Sequence, residues 1–358
     1  MPLTTSPDTS ALLAASTARL AAGVHAPRAE AAALVAGVFD GSLDLDAFGR
    51  WLVALADLGE SAAEIAGVAE ALRAKMLPVA HGLPLVADTC GTGGDGSGTF
   101  NISTAAALVA AAAGLPVAKH GNRAVSSRTG SGDVLEALGV AIGAAPEASA
   151  RSLREHGLCF CLAPVHHPAM ARVGPLRKAL GRPTVFNLVG PLCNPAGATV
   201  QVIGVGRPAV REPMAEAAFA LGARRVLVVS GTIAGAAEKA FDEMSLFGPT
   251  DVIDVSAAGT RRFRWTPEDF GIATRPAADL AVLAVDGPQE SAATVRAVLG
   301  GAGGPCREIV VLNAAAVLWA AGKAGDPASA ATLAANAIDS GAAAAALARL
   351  AAAARTDA

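Results

Sequence analysis

LVADTCGTGGDGSGTFNISTAAALVAAAAGLPVAKHG, Leu85 to Gly121, reads as strand, loop, helix and strand in that order. Leu85-Val86-Ala87 is one short apolar run, Pro116-Val117-Ala118 is another, and an alanine-rich helical stretch lies between them. A helical crossover returns the chain to the same end of the sheet, so the two strands are expected to be parallel. The loop inside this unit, Asp88 to Thr104, is rich in glycine and ends in small hydroxyl and amide residues. Glycines let the backbone approach a ligand and turn successive N–H groups toward an anion. A helix starting at Ser103 or Thr104 would add the positive end of its dipole.

Gly91, Gly93 and Gly96 also spell G-x-G-x-x-G, the dinucleotide fingerprint. That fingerprint needs a helix directly after the glycines and an acid about 20 residues on to bind a ribose hydroxyl. Here Phe100-Asn101-Ile102 intervenes, and no acid lies between Asp95 and Asp133, a run that holds Lys119, His120, Arg123 and Arg128. The stretch is suited to an anion, and the dinucleotide reading is set aside.

Outward from this unit the chain changes character. Before Met76, apolar residues recur at helical spacing in Ala11 to Ala22, Ala29 to Phe39, Leu45 to Leu58 and Ala62 to Met76, with Ser42 and Ser61 as candidate N-caps. Pro78 to Pro84 marks a crossing into a second region. There, further strand candidates are Leu158 to Leu162, Val200 to Val205 and Arg225 to Val229, alternating with helices such as Asp133 to Leu138 and Val210 to Leu221. Late helices fit Gln289 to Leu299, Asn313 to Ala321 and Ala328 to Ala354. The alternation predicts an α/β fold with a mostly parallel central sheet and surrounding helices, preceded by a small all-helical domain.

The chain has 358 residues, enough for two domains, and a net charge of −3. That balance gives no support to nucleic-acid binding, which favours a basic surface. The mean hydropathy of +0.45 comes largely from alanine, and the apolar part of the longest uncharged run is shorter than the ~20 residues a bilayer requires. No membrane span and no signal peptide are expected. Five cysteines without zinc spacing suggest free thiols in a reducing cytoplasm.

Three further clusters carry chemical groups. KHGNRAVSSRTGSGD, Lys119 to Asp133, mixes cations with Asn122, Ser126, Ser127 and Ser131. HHPAMARVGPLRKALG, His166 to Gly181, offers His167 and Arg177, with Pro168 able to open a helix. FDEMS, Phe241 to Ser245, presents adjacent acids able to ligate Mg²⁺, which commonly takes one or two carboxylates plus substrate phosphates. Taken singly, each of these also fits a solvated loop, a structural histidine or an ordinary surface.

Together, GTGGDGSGTFNIST, KHGNRAVSSRTGSGDVLEALG, HHPAMARVGPLRKALG followed by FNLVGPLCNP, and FDEMS closely resemble the anthranilate phosphoribosyltransferase family of tryptophan biosynthesis. TPEDFG and VLNAAAVLWAAGKA look like it too, so the resemblance spans nearly the whole chain. It implies transfer of the phosphoribosyl group from 5-phosphoribosyl 1-diphosphate to the amine of anthranilate, with Mg²⁺ as cofactor, in a cytoplasmic homodimer. By the family pattern, the donor site comprises Gly91, Gly94, Asp95, Thr99, Asn101, Ile102, Ser103 and Thr104. It continues through Lys119, His120, Gly121, Asn122, Arg123, Ala124, Val125, Ser126 and Ser127 to Ser131. Anthranilate would meet Gly91, His120, Asn122, His167 and Arg177. Mg²⁺ would be held by Asp242 and Glu243, with Ser103 nearby. The resemblance also implies a helical domain, residues 1–77 joined by about 166–186, and an α/β domain, residues 78–165 and 187–358, with the substrates between them.

Three departures stand out. Ten residues, Thr232 to Phe241, follow Ser230-Gly231 where the family has a short histidine-glycine loop, which puts the placement of the acid pair in question. Ser291 stands where asparagine is usual, and Gly132 replaces a customary alanine. Two other readings remain, a pyrimidine-nucleoside phosphorylase-like enzyme and a non-catalytic homologue that binds nucleic acid. The intact KHGN and the Arg177 element argue against the first, and the net charge argues against the second.

Overall fold

The computed structural model describes residues 7–124, 128–235 and 240–356. Four helices open the chain: α1 (Pro7–Ala21), α2 (Arg28–Asp40), α3 (Leu45–Leu58) and α4 (Ala62–Ala74). Their ends follow local chemistry. Gly41 closes α2 in the left-handed conformation, φ 80°, which suits a residue without Cβ. Ser61 caps α4 in a reciprocal box with Glu64. Ser42 is not a cap. Asp44 begins α3 and accepts from the Ala47 N–H, while the Ser42 hydroxyl donates to the Gly37 carbonyl. The carboxylate sits one residue before the helix, which is the geometry capping requires.

The remaining chain builds one seven-stranded sheet from β1 (Ala87–Gly91), β2 (Val117–Gly121), β3 (Leu158–Leu162), β4 (Val200–Gly204), β5 (Arg225–Gly231), β6 (Thr250–Ser256) and β7 (Gly259–Trp265). The order is β3-β2-β1-β4-β5-β6-β7. The first five strands are parallel, and β6 and β7 complete one edge as an antiparallel hairpin. That hairpin is absent from the sequence expectation, because its second strand carries Arg261, Arg262 and Arg264 in place of an apolar alternation. All three pair with acids, Asp254, Glu212 and Asp251, and their charges blunt the sheet edge.

The other helices are α5 (Ile102–Ala112), α6 (Ser131–Ala137), α7 (Pro146–His156), α8 (Ala163–His166), α9 (Gly174–Leu180), α10 (Arg211–Ala220), α11 (Pro288–Leu299), α12 (Pro305–Ala320), α13 (Pro327–Asp339) and α14 (Ala342–Thr356). The expected Ala328 to Ala354 helix is two, broken at Ser340-Gly341 where Gly341 takes φ 76°. Pro168 opens a 3₁₀ turn, Pro168–Arg172, and α9 starts afresh at Gly174, so His167 to Gly181 is not one helix. Pro175, which has no N–H and would obstruct the preceding turn, enforces the break.

The sheet is apolar on both faces, as parallel strands require. Val200, Val202, Leu227 and Val229 pack under α5, α11, α12, α13 and α14. Ile203, Val226, Val228 and Val255 face α10 and join a cluster continuous with the bundle, centred on Phe48, Trp51 and Leu52. Truncating such a residue, Phe48 to alanine for example, costs about 3–5 kcal/mol. The bundle also takes in the segment after α8. Leu176 lies over Gly49, where a Cβ would stand only 2.9 Å from its Cδ1, and Phe186 sits against Phe48 and Phe39.

Candidate active site

Strands β1 and β4 are neighbours, yet the chain leaves them in opposite directions across the sheet. That makes a crevice at their carboxyl ends, the usual ligand position in open α/β sheets. Into it run the glycine loop after β1 and the KHGN segment at the end of β2. Gly93, Gly94, Gly96 and Gly98 all have φ between 68° and 81°, a backbone that residues with a Cβ rarely adopt. α5 begins at Ile102, one residue before the expected start, with Asn101 at its N-cap position.

Asp242 and Glu243 lie against this loop. The Gly93 N–H donates to Asp242 Oδ2 at 2.9 Å, and the Ser103 N–H donates to Glu243 Oε1 at 3.2 Å. The ten residues from Thr232 to Phe241 leave the acid pair beside the glycine loop. Gly231 and Phe241 exchange backbone hydrogen bonds of 2.9 and 2.8 Å, so the longer loop closes on itself and returns the chain to the end of β5. Gly204 admits the returning strand. A Cβ there would stand 1.6 Å from the Asp242 carbonyl oxygen. Burial, reinforced by Asp95, pushes the Asp242 carboxyl up to about 8. Glu243 is raised well above the usual range, by burial first and Asp242 second.

A cavity of about 340 Å³ lies between the loop, the acids and the KHGN segment. Gly91, Gly94, Asp95, Thr99, Asn101, Ile102, Ser103, Lys119, His120, Gly121, Asn122, Arg123 and Ser131 line it, as do Arg128 and Thr129, which sequence reasoning did not assign to the site. Lys119 is 4% exposed, and its ammonium donates to the Thr89 carbonyl at 2.7 Å, beside the buried Asp88. Thr104 is buried in the first turn of α5 with its hydroxyl unpartnered, and it is not on the wall. The Ala124 N–H is taken by Asp133 Oδ2. The Arg123 guanidinium is turned onto Glu136 and Asp133 of α6. Val125, Ser126 and Ser127 lie outside the described residues.

A second cavity of about 410 Å³ shares Cys90, Gly91, His120, Gly121 and Asn122 with the first. Its far wall holds His167, Met170, Arg177, Phe186 and Pro191. The Arg177 guanidinium lies 5.7 Å from the Phe186 ring centroid, has no carboxylate partner among the described residues, and is lowered by burial. His120 and His167 stand ring to ring, 5.1 Å apart. Burial and the facing His167 pull His120 down to about 3. Burial, with His166 alongside, pulls His167 down to about 4, so both rings are neutral near pH 7. His120 Nε2 and both His167 ring nitrogens have no hydrogen-bond partner among the described residues. One cavity is thus built for anions and cations together, and the other for a flat apolar body with one negative group.

Residues 83–344 match the α/β domain of the glycosyl transferase family, and residues 15–76 match its helical bundle domain. The anthranilate phosphoribosyltransferase of Methylorubrum extorquens strain PA1 is 46% identical over 331 residues, covering 92% of this chain and 95% of the relative. This chain belongs to the anthranilate phosphoribosyltransferase family. The Moorella thermoacetica member is 45% identical over 336 residues, covering 94% of this chain and 96% of that one. The crystal structure of the Thermus thermophilus anthranilate phosphoribosyltransferase matches with a TM-score of 0.86 and 42% identity, over 95% of this chain and 99% of that one. The Saccharomyces cerevisiae enzyme in complex with PRPP and Mg matches with a TM-score of 0.85 and 28% identity, over 97% of this chain and 98% of that one. Fold and family are therefore as the sequence implied, including the mostly parallel sheet and the separate helical bundle. In an anthranilate phosphoribosyltransferase, a polar cavity opening into an apolar one matches the shapes of the two substrates.

Proposed function

We propose that this chain transfers the phosphoribosyl group of 5-phosphoribosyl 1-diphosphate to the anthranilate amine, giving N-(5-phosphoribosyl)anthranilate and diphosphate for tryptophan biosynthesis. The observation that carries this reading is the meeting of the two cavities at Gly91, His120 and Asn122. A donor bound over the glycine loop and an acceptor bound against Arg177 would bring C1 and the amine together at that junction.

The donor is assigned to Gly91, Gly94, Asp95 and Thr99 of the glycine loop, to Asn101 to Thr104 at the start of α5, and to the segment Lys119 to Ser127 with Ser131. Asp242 and Glu243, with Ser103, would hold Mg²⁺. Two adjacent acids, both raised and with no salt-bridge partner among the described residues, fit a divalent ion, since unpaired buried carboxylates are costly. When bound, Mg²⁺ neutralises charge on the leaving diphosphate. In the acceptor cavity, Arg177 would pair with the anthranilate carboxylate in a planar, charge-assisted contact, and Phe186 and Met170 would flank the ring. His120 and His167 stay neutral and add no competing positive charge. The aniline nitrogen is already neutral at pH 7, so holding it against C1 is a large part of the catalysis. The C1–oxygen bond to diphosphate breaks, the C1–nitrogen bond forms, and one amine proton leaves.

Residues 1–77 with about 166–186 are proposed as the helical domain, supported by the packing of Leu176 and Phe186 into it, and the remainder as the α/β domain. The reading includes a homodimer through the bundle. A concavity of about 740 Å³ lies there between α1, α3 and α9, lined by Leu20, Val53, Leu58, Leu176 and Leu180. A cytoplasmic location suits the phosphorylated substrates and the five free cysteines. No helix among the described residues is long and apolar enough to cross a membrane.

The test is turnover. Purified protein, Mg²⁺ and both substrates should release diphosphate as anthranilate disappears, in equal amounts, with thymidine plus phosphate as a parallel pair. Thymine release without anthranilate loss would replace the transferase with a phosphorylase.

A further inference from the structure

Asn101 occupies the N-cap position of α5, where an asparagine side chain ordinarily accepts a hydrogen bond from the first helical turn. Here it makes none. Its Oδ1 is held instead from two other elements. Ser291, fully buried on α11, donates its hydroxyl to Asn101 Oδ1 at 3.1 Å and accepts the Asn101 backbone N–H at 3.0 Å. Thr129, in the loop before α6, donates to the same Oδ1. The acceptor atom of the amide is therefore occupied by α11 and by the loop before α6. The amide nitrogen has no hydrogen-bond partner among the described residues, and Asn101 lines the donor cavity.

We infer that Ser291 and Thr129 are positioning residues for the donor. They hold the Asn101 amide by its oxygen, which aims the amide N–H₂ into the cavity. That favours an anion, because an amide N–H₂ is a donor only. Without Ser291, the Asn101 amide is free to turn, and its oxygen rather than its N–H₂ can then face the donor's phosphate. Ser291 contributes this from a position far along the chain, and nothing in the acceptor cavity touches it. The inference rests on the proposed function, since it takes the ligand of this cavity to be 5-phosphoribosyl 1-diphosphate.

The experiment is a double-mutant cycle on donor binding, with Ser291→Ala, Thr129→Val, Asn101→Ala and the Ser291/Asn101 double variant. Donor affinity is measured by calorimetry with Mg²⁺, and steady-state constants are measured for both substrates. Ser291→Ala and Thr129→Val should each weaken donor binding by roughly tenfold, the size of one lost hydrogen bond to a charged group, with the anthranilate KM unchanged. In the Asn101→Ala background, Ser291→Ala should add no further loss, because the residue it positions is gone. Additive losses, equal damage to both KM values, or a Ser291→Ala protein that binds the donor like wild type would each overturn the inference. A wild-type protein that does not bind the donor would overturn the proposed function and this inference with it.

Discussion

Asp242 lies so close to Gly91 that a Cβ on the glycine would stand 2.5 Å from its Oδ2. The end of β1, the start of the glycine loop and the acid pair are thus packed as one unit. Gly204, at the end of β4, completes it by leaving room for the Asp242 backbone. Residues of three distant segments depend on two missing side chains.

Gly204→Ala should therefore be among the most damaging small substitutions in the chain. The methyl meets backbone, which cannot swing aside, so we expect a stability loss of about 1–3 kcal/mol from overpacking. Loss of metal dependence should accompany it, because Asp242 must move. Denaturant unfolding and a Mg²⁺ titration of the variant check both. Wild-type values for both would contradict the packing.

Mg²⁺ affinity should rise with pH. The Asp242 carboxyl is held up to about 8 against an ordinary 3.8, so the folded protein binds that proton more tightly than the unfolded chain. For an acid shifted upward, metal-free stability falls as pH rises between about 4 and 8. A divalent ion requires the carboxylates, so its affinity climbs over the same window and levels off above it. Calorimetry across neutral pH, with melting curves with and without chelator, reads both slopes. Metal affinity that is level from pH 6 to 8 would count against the acid pair as ligands.

His120 and His167 should show no titration between pH 5.5 and 7.5. Their values near 3 and 4, against an ordinary 6.5, mean that both rings are neutral throughout that range. For a base shifted downward, the stability contribution is present above 6.5 and is lost as pH falls toward the folded values. Ring-proton NMR shifts followed against pH give the answer, and an inflection near 6.5 at either ring would refute the burial argument.

Arg177→Ala should raise the anthranilate KM by the equivalent of about 2–3 kcal/mol while sparing the donor KM. The guanidinium lies over Phe186 in the acceptor cavity and has no carboxylate to release among the described residues. Steady-state kinetics with each substrate varied in turn separates the two constants. Equal rises would assign Arg177 to packing.

Gly132→Ala should stabilise the protein by about 0.5–1 kcal/mol, the usual gain on removing a helical glycine. Gly132 is inside α6, and its added Cβ would meet the terminal methyls of Ile142 and Leu162 at 3.3 and 3.4 Å, which can shift. Chemical denaturation measures the change, and a loss of stability would show that those methyls are fixed.

What the sequence determined by itself was whatever depends on neighbours a few residues apart. The glycine loop before α5, the five parallel strands, the bundle helices and the Ser61 cap follow from local spacing and turn chemistry. The motifs also carried the family, because they are long and occur in order. Only the tertiary structure decided how distant segments meet. The sequence left open whether the loop before Asp242 displaces the acids. The Gly231–Phe241 pairing answers that, and backbone hydrogen bonds between strands leave no mark in the residue types. Arg123 lines the donor cavity, and the pairing of its guanidinium with Glu136 and Asp133 of α6 is a contact that its own stretch of sequence does not reveal. Ser291 read as a departure from the family, yet it holds Asn101 across 190 positions of chain. A side chain's partner is set by what folding brings within about 3 Å of it, and only three-dimensional packing specifies that.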